Sequence, residues 1–155
     1  MKYRDKDLII ENLKAITLAK KYSTPFYCYS YEKLKDNIKN FKKSFKTVNP
    51  LICFSVKSNS NKTLLNEVRK LGLGADVVSI GELMRALKAG IKPNHIVFSG
   101  VGKTSEEISF AIKKKILLIN TESKNEVLEI EKIAKKRKRL VNIGIRLNPN
   151  TDPKT

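Results

Sequence analysis

From residue 51 onward the chain repeats one unit: a short apolar run, a polar turn, then an amphipathic stretch. Apolar runs at 51–57, 74–78, 95–99, 116–120 and 140–147 alternate with helical patterns at 61–71, 80–89, 105–114 and 124–137. Such alternation predicts parallel strands, because parallel neighbours cannot be joined by a hairpin and need a helical crossover. Three of the helical patterns open with Ser or Thr followed three residues later by Glu: Ser79/Glu82, Thr104/Glu107 and Ser123/Glu126. Each pair has the capping-box form, in which the hydroxyl accepts from the N3 amide and the carboxylate accepts from the N-cap amide. The expectation is an α/β chain with a parallel sheet. A doubly wound sheet and a (β/α)8 barrel both satisfy this spacing.

Either architecture puts ligands beyond the carboxyl ends of the strands. The residues at those ends are Lys57, Asp76, Ser99 with Gly100, Asn120 and Arg146, a polar set on strands made of Ile, Leu, Val and Phe. Period-two alternation puts Ile52, Phe54 and Val56 on one face of the first strand and Cys53, Ser55 and Lys57 on the other. In the fifth strand it separates Val141, Ile143, Ile145 and Leu147 from Asn142, Gly144 and Arg146. The bulky faces suit packing against helices, and the small polar faces leave room for a ligand. A strand-end lysine also has a simpler option, carrying its ammonium to water on its alkyl stem.

Upstream, Leu8, Ile9, Leu13, Ile16 and Ala19 recur at helical spacing and predict a helix over 7–22, ended by Thr24-Pro25. "PFYCYS" then reads as a short aromatic-rich strand. Residues 31–45 read as a second helix, with Leu34, Ile38, Phe41 and Phe45 on one stripe.

Charge narrows the partners. The formal net charge is +17, from 32 Lys plus Arg against 15 Asp plus Glu, which fits either anionic partners or solvated lysine-rich helix faces. The dense block "KKRKR" at 135–139 ends a helical pattern, where cations complement the helix dipole. No aromatic residues interleave it, so nucleic acid is not the expected partner. Cys28 and Cys53 sit inside apolar runs, lack metal-ligand spacing and read as small buried apolar residues in a reducing compartment, with a single disulfide between them as the alternative. "MKYRDKDLII" has no signal-peptide core, and no apolar stretch approaches the ~20 residues of a membrane span. A cytoplasmic protein without a membrane partner is expected.

The stretch "CFSVKSNSN" at 53–61 resembles the YAVKAN signature of fold-type III pyridoxal-phosphate enzymes, the alanine-racemase-like barrels and their decarboxylase relatives. "GLGADVVSIGELMRALKAGI" at 72–91, "HIVFSGVGKTSEEISFAI" at 95–112, "INTES" at 119–123 and "IRLNPNTDPKT" at 145–155 follow in order. Over roughly residues 24 to 155 this series resembles the diaminopimelate decarboxylase family.

The resemblance implies a partial (β/α)8 TIM barrel of the pyridoxal-phosphate-binding type, with about five of its eight strands present. It divides the chain into 1–30, a lead helix and a strand that joins a second β-domain, and 31–155, the N-terminal part of the barrel. The implied cofactor is pyridoxal 5'-phosphate. The implied activity is decarboxylation of meso-diaminopimelate to L-lysine, on a small amino-acid substrate, by a homodimer.

Lys57 becomes the catalytic lysine that holds the cofactor, and shielding it from water would favour its neutral, nucleophilic form. Asp76, Glu82 and Arg146 match positions close to the cofactor, although Glu82 already has a task in the capping box with Ser79. His95, the only histidine, precedes a strand and reads as structural at the lower rim. Ser55 and Ser58 stand where alanine is usual in the family.

A complete barrel needs about 250 residues. The resemblance therefore implies a longer enzyme whose stacking histidine, phosphate-binding loop and substrate-reading residues lie outside these 155, and no useful activity from these residues alone. Ornithine, arginine or carboxynorspermidine decarboxylases and racemases of the same fold are the neighbouring alternatives. A non-catalytic basic fragment that binds anions or nucleic acid is the alternative of another class.

Overall fold

Ahead of the repeating part, the chain departs from the helix expected over 7–22. In this structure, a computed structural model that describes every residue except 46, 150 and 152–155, only the second half of that stretch is helical. Strands β1 (Lys2–Arg4), β2 (Asp7–Ile10) and β3 (Leu13–Lys14) form an antiparallel meander, and α1 spans Ala15–Tyr22. The turns decide this. Asp5 and Lys6 both take positive φ, 48° and 68°, the left-handed pair that closes a two-residue hairpin. With that register Leu8 lies opposite Tyr3 and Ile9 opposite Lys2. Leu8-Ile9-Ile10 is a short apolar run whose content suits a strand, and periodicity alone does not separate the two readings at this length.

The strand expected at "PFYCYS" does not form: among the described residues nothing pairs with 25–30. Tyr27 and Tyr29 stack with ring centres 6.4 Å apart and are exposed. Helix α2 (Tyr31–Lys43) follows, near its expected span. Its N-terminus is held from two sides. The Ser30 hydroxyl accepts from the Lys33 amide, and the Glu11 carboxylate accepts from the Ser30 hydroxyl (2.7 Å) and the Glu32 amide (3.0 Å). These elements belong to one compact unit, Met1–Asn49, and the rest of the chain forms a second.

The second unit carries the repeating pattern as β4 (Cys53–Ser55), α3 (Lys62–Lys70), β5 (Gly74–Val77), α4 (Ile80–Lys88), β6 (Ile96–Phe98), α5 (Ser105–Lys114), β7 (Leu118–Thr121), α6 (Lys124–Lys136) and β8 (Ile143–Ile145). Every strand pair is parallel, and the order is β4-β5-β6-β7-β8. That order separates the two architectures left open by spacing. A doubly wound sheet reverses its strand order at a switch point, whereas these five strands add in one direction, as in a barrel. Successive helices also contact one another, α3 with α4, α4 with α5 and α5 with α6.

Side-chain alternation divides the sheet as expected. Val56, Ala75, Val77, Ile96, Phe98, Ile119 and Thr121 are at most 2% exposed, and the apolar ones share a core with Leu65, Leu83, Ile108 and Ile130 from the helices. The opposite face carries Cys53, Ser55, Asp76, Ser99, Asn120 and Gly144, all only half-buried. At β8 the helix-side residues Ile143 and Ile145 are exposed. Among the described residues no helix is long and apolar enough to cross a membrane.

The helix starts follow the capping pattern with one correction. Thr104 and Glu107 make the complete box at α5. At α4 and α6 the Ser79 and Ser123 hydroxyls accept from the Glu82 and Glu126 amides, but the carboxylates reach one residue further back, to the amides of Val78 and Glu122. Both N-caps are strongly extended, with φ near −154°, which presents the preceding amide to the carboxylate instead of the cap's own.

Candidate functional site

The half-buried face ends in a row of hydrogen bonds that crosses three strands. Asn120, on β7, donates from Nδ2 to the Ser99 hydroxyl at 2.9 Å, and Ser99, just after β6, donates in turn to Oδ1 of Asp76 on β5. Parallel register places these strand ends side by side: Asp76 pairs with Val97, and Phe98 with Ile119. On the far side Asn120 pairs with Gly144 of β8, where a Cβ would come within 2.3 Å of Asn120 Oδ1. A glycine is needed there because the amide occupies the space a side chain would fill. Gly74 plays a similar part at the other end of the face, its missing Cβ leaving room for the His95 carbonyl and the Cys53 sulfur. His95 itself lies in the short 3-10 turn Pro93–His95 that leads into β6, at the amino end of that strand and away from the polar row.

Arg146 directly follows β8 and continues its ladder, its amide donating to the Thr121 carbonyl. Its guanidinium is exposed and pairs with Glu122 at 3.3 Å. Glu122 was not among the candidates read from the sequence, yet it is two residues beyond Asn120 and so shares its parity. That signal could have found it. Glu82 accepts from Val78 at the start of α4. Among the described residues no hydrogen bond or ion pair joins Glu82 or Lys57 to Asp76 or Arg146.

Lys57 departs from the expected alternation. The strand stops at Ser55, and Val56–Ser58 form a 3-10 turn held by the Ser58 hydroxyl on the Ser55 carbonyl (2.7 Å) and the Asn59 amide on the Val56 carbonyl. Val56 is fully buried and anchors the turn, while Lys57 is exposed and has no partner among the described residues. The shielding from water expected at Lys57 is therefore not supplied by the residues described. Its place, at the carboxyl end of β4 two residues past the Ser55–Asp76 register pair, is as expected.

The electrostatics of the face register at Cys53. Burial pushes its thiol above the usual range, and the Asp76 charge adds to the shift. The Cys53 sulfur forms no disulfide and donates weakly to the His95 carbonyl at 3.9 Å; Cys28 is also free, and it is exposed instead of buried as expected because nothing pairs with its segment among the described residues. No metal-ligating cluster is present among the described residues.

The sequence also gave no hint of a buried ion pair behind the row. Lys103 Nζ contacts Glu126 Oε1 at 2.9 Å and the Gly100 carbonyl at 2.7 Å, with the two side chains 1% and 8% exposed. It ties the loop after β6 to the start of α6.

Comparison with known proteins adds relatives to this geometry. Residues 31–155 match the pyridoxal binding domain of the pyridoxal-dependent decarboxylases. The chain is 52% identical over 134 residues to diaminopimelate decarboxylase of Helicobacter pylori, covering 86% of this chain and 33% of that protein. It is 43% identical over 155 residues to diaminopimelate decarboxylase of Aquifex aeolicus, covering all of this chain and 36% of that one. The crystal structure of the Helicobacter pylori enzyme complexed with L-lysine superposes with a TM-score of 0.87 at 49% identity, over 90% of this chain and 36% of that one. Ornithine decarboxylase from Entamoeba histolytica superposes with a TM-score of 0.73 at 29% identity, over 86% of this chain and 41% of that one. The chain spans about a third of the length of the curated relatives it matches.

Proposed function

The chain belongs to the pyridoxal-dependent decarboxylases, and from that premise we propose that it serves in the decarboxylation of meso-diaminopimelate to L-lysine, as the N-terminal part of the length its relatives have. One observation carries the reading: an unpartnered lysine at the carboxyl end of the first strand of a parallel sheet wound in barrel order, beside a row of polar strand ends. Identity to the diaminopimelate enzymes, well above that to the ornithine enzyme, favours this substrate over its neighbours.

The residues present fit pyridoxal phosphate. Lys57, in the turn after β4, offers an unpartnered side-chain amine for the cofactor's aldehyde, Asp76 offers a carboxylate on the half-buried face of the sheet, and Cys53, Gly74 and Gly144 keep that face shallow. The bound cofactor supplies an electron sink for the electron pair left by departing CO2. The chain's own residues attach and orient: Lys57 holds the cofactor, Asp76 accepts from a positively charged N–H group, and Arg146, held by Glu122, contributes positive charge at the end of β8. Glu82, near the carboxyl end of β5, is engaged in capping α4 and would stand close to the cofactor only from there. Residues 31–155 form the N-terminal part of the barrel, and 1–30 join a second β-domain. The enzyme is a cytoplasmic homodimer acting on a small amino acid.

Borohydride reduction in the presence of pyridoxal 5'-phosphate, with these residues in a chain long enough to complete the barrel, tests the assignment. The pyridoxyl mass should be found on the peptide containing Lys57 and should disappear in Lys57→Ala. Persistent labelling centred on another lysine would overturn it.

A further inference from the structure

The row across β5, β6 and β7 has a direction, and the direction has a consequence for Asp76. A serine hydroxyl has one proton to give, whereas an amide NH2 group can only donate. Asn120 Nδ2 fills the acceptor side of Ser99, so the Ser99 proton is committed to Asp76 Oδ1. The Asn120 amide is itself seated over Gly144, where a Cβ would collide with its Oδ1. Among the described residues Ser99 is the only donor to the Asp76 carboxylate, so Oδ2 is left without one.

We propose that Ser99 and Asn120 are positioning residues that hold Asp76 in one rotamer, with Oδ2 presented to a positively charged N–H donor of the bound ligand. The inference rests on the cofactor reading for the ligand, while the positioning itself can be read without any ligand. Neither residue touches the reacting group: Asn120 acts through Ser99, and Ser99 through Asp76. The row also accounts for the pattern Asp76, Ser99, Asn120, Gly144 on successive strands, in which each member supplies the group or the space that the next one needs.

Three variants test it: Ser99→Ala removes the relay, Ser99→Thr keeps the hydroxyl, and Asn120→Asp makes the donor titratable. The first readout is the Asp76 side-chain rotamer, from three-bond couplings in the labelled 155-residue chain. A single rotamer is expected in the wild-type chain and Ser99→Thr, and averaging in Ser99→Ala. In Asn120→Asp two carboxylates compete for one hydroxyl proton, and the pair takes up a shared proton above the pH at which either would alone. Its Asp76 rotamer should be fixed on the acid side of that step and averaged on the alkaline side.

The second readout, taken with these residues in a chain of the length their relatives have, is the share of borohydride-trapped pyridoxyl label on Lys57, relative to the wild type at the same pH. Ser99→Ala should lower it about tenfold, the equivalent of one charge-assisted hydrogen bond, and Ser99→Thr should restore it. Asn120→Asp should recover its share on acidification, a pH profile that a purely structural role would not produce. An Asp76 rotamer that stays fixed in Ser99→Ala, or an Asn120→Asp variant without pH dependence, overturns the positioning role. A wild-type enzyme of the length its relatives have, whose Lys57 is not labelled in preference to other lysines, overturns the cofactor reading instead, whatever the rotamers do.

Discussion

Replacing Lys103 by Met should unsettle the second unit more than any surface change to a chain this rich in lysine. The ammonium is 1% exposed, donates to the Glu126 carboxylate (2.9 Å) and the Gly100 carbonyl (2.7 Å), and lies 5.7 Å from the centre of the Phe98 ring. Methionine fills similar volume, so the packing change is small. What remains is a Glu126 carboxylate 8% exposed, keeping only its hydrogen bond from the Glu122 amide. Stranding one member of a buried pair costs about 3–5 kcal/mol.

Glu126→Gln strands the lysine instead and should be destabilising for the same reason. In Lys103→Met/Glu126→Gln no charge is buried, the glutamine can still accept from Glu122, and the residual loss is about 1 kcal/mol for the Gly100 carbonyl. The double variant should therefore be more stable than Lys103→Met by at least about 2 kcal/mol. With a urea m-value of about 2 kcal/mol/M, that difference moves the unfolding midpoint by about 1 M. Additive losses in the double variant, or a Lys103→Met midpoint within about 0.3 M of wild type, would refute the claim that burial makes this pair matter.

Three further outcomes follow from the geometry. In a Cys28→Ser background, alkylation of Cys53 should stay slow through the ordinary thiol value of 9.0, and Asp76→Asn should bring the reaction to lower pH by removing the charge that adds to burial. Because the folded-state value is raised, the stability this thiol contributes is full below the unfolded value and falls as pH rises through the folded one; a melting temperature flat across that window would contradict it. At the other end of the scale, the Ser30 hydroxyl and the Glu32 amide hold Glu11 below its usual 4.5, so its support of α2 is present above that value and lost as pH falls through the lowered one. Exchange protection of the Glu32 amide should fall in that acid window and be pH-independent in Glu11→Gln. Finally, Gly74→Ala should destabilise more than Gly144→Ala. The added carbon would meet the His95 backbone carbonyl in the first case, but only the end of the movable Asn120 side chain in the second. Equal melting temperatures for the two would reject that ordering.

The parallel sheet was legible in the sequence because its signals are local and repeated. Strand runs, helix periods and hydroxyl–Glu pairs each predict the same alternation, and the face division of β4 through β8 follows from a period of two. Strand order was not legible, since spacing says nothing about which neighbour each strand takes. The N-terminal meander was misread for a related reason. Its decisive feature is the left-handed backbone at Asp5, Lys6 and Glu11: the first turn, Asp5-Lys6, has neither glycine nor asparagine, and in the second, Glu11-Asn12, the positive φ falls on the glutamate beside the asparagine.

The site divides along the same line. Lys57, Asp76, Ser99, Asn120 and Arg146 could be read off because a strand end is a position in sequence. What joins them depends on register between strands, and register is a tertiary quantity. The Asn120–Ser99–Asp76 row needs β5, β6 and β7 aligned to within a residue, and a slip of one position would turn all three side chains toward the helices. The helix side prevents that slip: Ala75, Ile96 and Ile119 are almost wholly buried, so any shift would expose them while burying polar groups without partners. The apolar face of the sheet thus fixes the geometry of its polar face. The core behind the row fixes its backbone register, although none of the row's own members is fully buried.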